Sequence, residues 1–548
     1  MTLISSIPSW NAAPVRSPAS LSQRSDVAPG ARQAAEYQAT PSTVVNLSPQ
    51  SLSAATTGRA VLQWESGAQD GVSALMAANA GARSAAGRFS GLGAALLSQF
   101  RGEVGNIAQS VRLAAPAAPA SPYGIAAAPS ALHGLGDDRI SLAISTASGA
   151  EVSLSLDNTD DGLALRMSGG AELSDAERGA LAGLAEAFQD AIDGISADPP
   201  SVRLEGLTRF DPAVLASVDL RATVRLASDP EATQSLRFRA DGAQRTVSLE
   251  GPSGSASVSV DTAHLAGLGS AAQQARALAS HLKQFDQAAS RGHADAGLMT
   301  MFKDAFTDLN ANIGTAQPRA GASAGGKWEL AAADHAALTG LADFSASLTQ
   351  ASSALNPMRP SERDTFAYEL AQSTSIGGRS QGERTVSQQQ TSELNASFHT
   401  PGTPGAALNL DYSLASQNYD YHQIKDAASS AVDLAYNDGH LVKATLDQSA
   451  SQSARVLSYT MGKLVSDITT PGEYALQRDL LAVLAPYLSG DARRSDEEKE
   501  QHRQQTMDAL GEQVLLNAYP DAASAAWTRG KADAAALPIT SPGKSFPA

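Results

Sequence analysis

At 548 residues the chain has room for several domains and a large core, and it carries a formal net charge of −16. It has no cysteine, 5% aromatic residues and only 18% charged residues, with alanine, serine and glycine filling the gap. This excludes disulfides, thiolate metal centres and thiol catalysis, and argues against a general binder of nucleic-acid backbone.

No apolar run is long enough for a membrane-spanning helix. The N-terminal residues lack the basic start and continuous apolar stretch of a secretory signal. Residues 1–58 are expected to be a disordered leader, with Pro8, Pro14, Pro18, Pro29, Pro41 and Pro49 recurring among Ser, Ala and Thr. Within it, Val44, Val45 and Leu47 form a short extended run that Ser48-Pro49 breaks. From 59 to 113, Leu75, Met76, Phe89, Leu92, Leu96, Leu97, Phe100, Val104 and Ile107 recur at three- and four-residue spacing. Glycines interrupt them, which predicts two modest helices. The Pro/Ala stretch 114–135 is expected to be a linker.

Residues 136–168 switch to period two and predict a three-stranded meander, with turns at 146–149 and 158–162. A helix over about 175–195 follows, capped by Ser174 and Glu177. A second strands-then-helices unit is expected through 316, with strands around Val224, Phe238, Val247 and Val258 and helices around 265–285 and 298–309. That order argues for an α+β fold of antiparallel hairpin modules packed with amphipathic helices, not a parallel βαβ sheet. A hinge is expected at 317–326 and a C-terminal α+β region at 327–530. In the latter, Leu338, Leu341, Phe344 and Leu348 predict a helix over 335–349. Strands are expected at 366–370, 394–398 and 408–414, and a hairpin turns at Asp438-Gly439. Helices are expected to begin near Pro471-Gly472, and residues 531–548 to form a disordered tail.

The densest carboxylate cluster is Asp157, Asp160 and Asp161 with Asn158, but no glutamate stands at the offset a calcium loop needs. Nine histidines are scattered without an HExxH pair, and no nucleophile elbow, phosphate loop or dinucleotide fingerprint occurs. His281 with Asp286, or His335 with Asp334, are the nearest pairs for base chemistry. Gly326-Lys327 follows a glycine-rich stretch, but Trp328 occupies the place of a magnesium-binding hydroxyl. Tyr412, Tyr419, Tyr421 and His422 form the candidate binding patch, with Tyr419 and Tyr421 on one strand face. No cofactor and no metal are expected.

The segment Val45 to Gln50 and the helix opening Glu172-Leu173-Ser174-Asp175-Ala176-Glu177 through Phe188 carry one resemblance. They are similar to a group of proteobacterial proteins with an LSPQ-containing leader and hairpin-rich α+β modules, some associated with flagellar or other appendage systems. The resemblance covers 43–50 and 138–310 and implies no catalytic residue. The expected function is a non-enzymatic protein, exported by a signal-peptide-independent route or appendage-associated, that acts through a protein partner or a surface. An enzyme or secreted effector with a site assembled between modules is the first alternative. A cytoplasmic scaffold or chaperone-like binder is the second.

Overall fold

Alternation of large apolar with small or polar side chains runs through the fifteen strands of the described residues, all hydrogen-bonded into one antiparallel sheet. The computed structural model describes residues 62–67, 70–102, 106–113, 129–134, 136–160, 162–170, 172–314, 329–481, 483–484 and 496–519, within a unit that begins at Ala60. The leader, the tail, the hinge and most of the Pro/Ala linker lie outside them.

The strands are β1 (Leu62–Trp64), β2 (Ile107–Leu113), β3 (Asp138–Thr146), β4 (Glu151–Thr159) and β5 (Gly162–Ser168), then β6 (Leu215–Arg225), β7 (Thr233–Asp241), β8 (Gln244–Gly251), β9 (Gly254–Asp261) and β10 (Phe344–Gln350). They continue as β11 (Thr365–Gly378), β12 (Arg384–Pro401), β13 (Tyr419–Asn437), β14 (His440–Thr460) and β15 (Lys463–Asp479). Their order across the sheet is β1-β2-β5-β4-β3-β6, and from β6 to β15 neighbours in sequence are neighbours in space. The fold is therefore α+β, and the stretches expected as separate modules share one sheet.

Helices cover the apolar face. Beneath β2–β6 pack α1 (Gly71–Asn79), α2 (Ala85–Phe89), α3 (Leu92–Ser98), α4 (Asp175–Gly183) and α5 (Ala185–Ile195). The capping box of Ser174 and Glu177 opens α4, and the helix expected over 175–195 is split at Leu184, just after Gly183. Next come α6 (Ala271–Gly292) and α7 (Ala296–Asn310), which pack on β8–β10 and β12. Phe285 stands at their centre, its ring 4.8 Å from Phe302 and 5.1 Å from Phe306. Finally, α8 (Ala332–Ala336) and α9 (Asp496–Gln513) cover Val386, Val432 and Leu434 in a second cluster.

Four expectations need correction. The helical segment expected over 59–113 holds, among the described residues, three short helices where two were expected, and strands stand at both its ends: Leu62–Trp64 pairs with β2, and Ile107 belongs to β2, which pairs with β5. The helix expected over 335–349 is instead α8 and β10. Gly340, at φ +81°, breaks the helical path, and Phe344, Ala346 and Leu348 also satisfy period two. The residues after Pro471 continue a strand, not a helix. β15 is an edge strand, where a proline's missing donor is tolerated, and Pro471 pairs with Ser453. The strand expected at 408–414 is a loop, with Leu408 and Leu410 packing on a tyrosine cluster.

Candidate functional site

Strand parity decides where the chemically equipped side chains go. On β12 and β13, Phe398 and His422 face the helices, while His399 and Tyr421 face the opposite, open side. At that end of the open face the loops 351–364 and 402–418 fold over the strands. Beneath them Tyr419, Tyr421 and Tyr459 make a small separate core.

A polar network sits in this core. Asp364 Oδ1 is 2.5 Å from His399 Nδ1, and Glu362 Oε2 stands 3.5 Å from His399 Nε2 without a hydrogen bond. Glu362 also accepts from Tyr419 (2.6 Å) and Tyr459 (2.8 Å), and Asn356 donates to Tyr419 at 2.9 Å. Arg359 lies over the Tyr459 ring, 4.2 Å from its centroid, and donates to the Gly462 carbonyl. Burial and the Glu362 carboxylate push both tyrosine hydroxyls above their usual range. An aspartate-held imidazole is the geometry of a general base. Here the side chain of His399 is fully buried, and both ring nitrogens face carboxylates. Among the described residues no hydroxyl is hydrogen-bonded to His399, and the cluster works as a clamp that holds the covering loops to the sheet.

The predicted patch is divided by the same parity. Tyr419 and Tyr421 share a face, as expected, but both are buried, and Tyr421 donates to the Arg363 carbonyl. Tyr412 is 79% exposed on the loop. His422 is on the helix side, stacked 4.7 Å from Phe398, with Thr400 Oγ1 at 2.9 Å from its Nε2. Among the described residues it makes no hydrogen bond to a carboxylate, and burial lowers its pKa.

The other sequence candidates are also accounted for. Asp157 accepts from Arg139 (2.8 Å), Asn158 donates to Asp138, and Asp160 accepts from Arg225 (3.0 Å); Asp161 lies outside the described residues. Among the described residues no group of three His, Asp or Glu side chains could hold a metal ion. Asp286 pairs with Lys303 and not with His281, and Asp334 with Arg384 and Tyr436 and not with His335. Gly326, Lys327 and Trp328 lie outside the described residues.

The feature that the sequence did not reveal is the open face. Following register partners across the sheet, one row runs Arg166, Ser155, Ser141, Arg221, Arg237, Ser248, Ser257, Ser347, Glu369, Glu393, Ala427, Ser451 and Glu473. The row on one side of it holds Thr246, Ser259, Ser345, Ala371, Thr391, Ser429 and Ser449. Small polar groups thus pave one face of a sheet whose other face packs two apolar clusters against the helices. Two shallow depressions flank Ser257, one of about 350 Å³ at Arg221 and Arg237, the other of about 470 Å³ at Glu369 and Glu393. Only the pairing of each strand with its neighbours brings this row together.

No protein-family model, curated protein or solved structure matches this chain.

Proposed function

We propose that this is a non-enzymatic interaction protein, exported or appendage-associated, whose working surface is the open face of the sheet. The observation that carries this reading is the contrast between the two faces. Thirteen strands, at about 4.8 Å spacing, extend the row from Arg166 to Glu473 over about 58 Å. Such a surface is polar enough to stay soluble alone, yet it aligns charges and hydroxyls for a partner. The apolar stripes of α6 and α7 are occupied by the sheet, which removes support for a chaperone-like groove on those helices. The sealed position of His399 likewise gives a substrate no approach to that imidazole. A chain without cysteine suits export, since no thiol can be oxidised on the way. No helix among the described residues is long and apolar enough to cross a membrane.

The absence of cysteine also supplies the test. A single Ser347→Cys places one thiol on the open face, and Asn437→Cys places one at an exposed hairpin end. In producing cells and culture medium, the open-face thiol should react with a maleimide at least tenfold more slowly than in dilute purified protein. The hairpin-end thiol should react equally in both. Equal reactivity of the open-face thiol everywhere would remove the open face as a working surface. Fractionation of cells and medium tests export, and recovery in soluble cytoplasm alone would refute it.

A further inference from the structure

We infer that the occupant of the open face is a second copy of this chain, related by a two-fold axis that runs along β9 at Ser257. The inference rests on the open face being the working surface and adds the partner. Its basis is the spacing of charges in the central row. Counted outward from β9, arginines stand two, three and six strands away on one side: Arg237 on β7, Arg221 on β6 and Arg166 on β5. Glutamates stand two, three and six strands away on the other: Glu369 on β11, Glu393 on β12 and Glu473 on β15. A two-fold axis along β9 lays each strand over the strand equally far on the other side. Each arginine then meets a glutamate, and each glutamate an arginine.

Within one copy the arrangement is unfavourable. Arg221 is directly opposite Arg237, and Glu369 directly opposite Glu393. Like charges facing each other across strands destabilise a sheet. Arg221 is partly relieved by Asp219 at 3.1 Å, and Glu393 accepts from Asn395 at 2.6 Å. Among the described residues neither Arg237 nor Glu369 forms an ion pair. A partner's opposite pair relieves both repulsions at once.

Shape agrees with charge. A two-fold along the strands carries a twisted sheet onto another of the same hand, so the two surfaces stay locally aligned. Packed sheets lie about 10 Å apart. An arginine and a glutamate reaching from opposite sides span that gap, and the serines of β9 leave it unobstructed. The seven strands from β6 to β12 cover about 29 Å, and the length of β9 about 27 Å. That area is close to the roughly 800 Å² per partner of a standard stable interface.

The test is sedimentation of the full chain across the micromolar range at low and high salt. The unaltered chain should sediment as a dimer, weakened by salt as screened ion pairs are. Arg221→Glu with Arg237→Glu should weaken the dimer at least tenfold, and so should Glu369→Arg with Glu393→Arg. An equimolar mixture of the two variants should restore it, because the four acidic positions 221, 237, 369 and 393 of one copy then meet the four basic ones of the other. If a reversal fails to fold, Arg237→Gln with Glu369→Gln probes the same contacts and should weaken the dimer as well. A monomeric unaltered chain, a dimer indifferent to these changes, or a mixture that stays monomeric would overturn the proposal. If the chain is monomeric but the thiol of Ser347→Cys is still protected in cells and medium, the open face stands as a surface for another partner. An unprotected thiol at that position would remove both.

Discussion

His281 is fully buried on α6, with neither ring nitrogen hydrogen-bonded among the described residues, edge-on to Phe306 at 6.0 Å and to Phe344 at 5.4 Å. It serves as an aromatic filler, and burial lowers its pKa to about 4. The unfolded chain, with histidine near 6.5, therefore binds the proton first as pH falls. Stability from this residue is fully present above pH 6.5 and is lost between 6.5 and 4. Asp308 on α7 acts oppositely. Burial raises it to about 6 although it accepts the Leu204 N–H at 2.6 Å, so the folded state takes up its proton first and gains stability as pH falls from 6. The two slopes partly cancel in the unaltered chain. His281→Phe keeps the edge contacts and removes only the first slope. In urea unfolding, the variant should gain on the unaltered chain by on the order of 2 kcal/mol between pH 7 and pH 5. A gap that does not change with pH would show that His281 does not titrate on unfolding.

The elements of the first half were largely legible, because their alternation and caps are local. The meander of β3, β4 and β5 and the capping box on α4 needed only neighbouring residues. The failures came where two periods fit the same residues. Leu476, Leu480 and Leu484 are spaced by four, yet Tyr474, Leu476 and Arg478 alternate, and pairing with β14 selects the strand up to Asp479. The clamp was hidden for another reason: Glu362 and Asp364 come from a loop, and His399 from a strand 35 residues beyond Asp364. Tertiary closure alone brings them together. Glycine at Gly254 is an element-scale requirement. It sits at φ +136° in the β8–β9 turn, where a Cβ would lie 2.2 Å from the Thr349 carbonyl oxygen of β10. Gly254→Ala should cost about 3 kcal/mol through backbone strain and displacement of β10. Gly149→Ala, at φ +96° with open space around it, should cost about 1 kcal/mol. Equal losses in thermal or urea unfolding would mean that the β10 contact gives way freely.

At the scale of the whole molecule, the low charge and the excess of serine and alanine acquire a structural location. Part of it falls on the leader and linkers, but much paves the open face, where small side chains alternate with the apolar residues of the core. A sheet this wide also has unequal ends. β1 is three residues long and leaves little edge to pair with, whereas β15 is seventeen residues long. Its outer part has thin cover: Leu464, Val465 and Ile468 are 44%, 59% and 60% exposed. Only farther along does Tyr474 meet the main core. Pro471 removes one donor from the strand, which blunts it as a template for a further strand. Opening of residues 463–470 thus exposes almost no buried apolar surface, whereas opening β12 breaks pairings on both sides and uncovers Val386 and Leu394. Local stability should fall accordingly towards this edge. Hydrogen exchange should find amides of 463–470 at least a hundredfold less protected than those of 386–394. Equal protection would mean that another chain pairs along β15, and that the edge is closed in the native assembly.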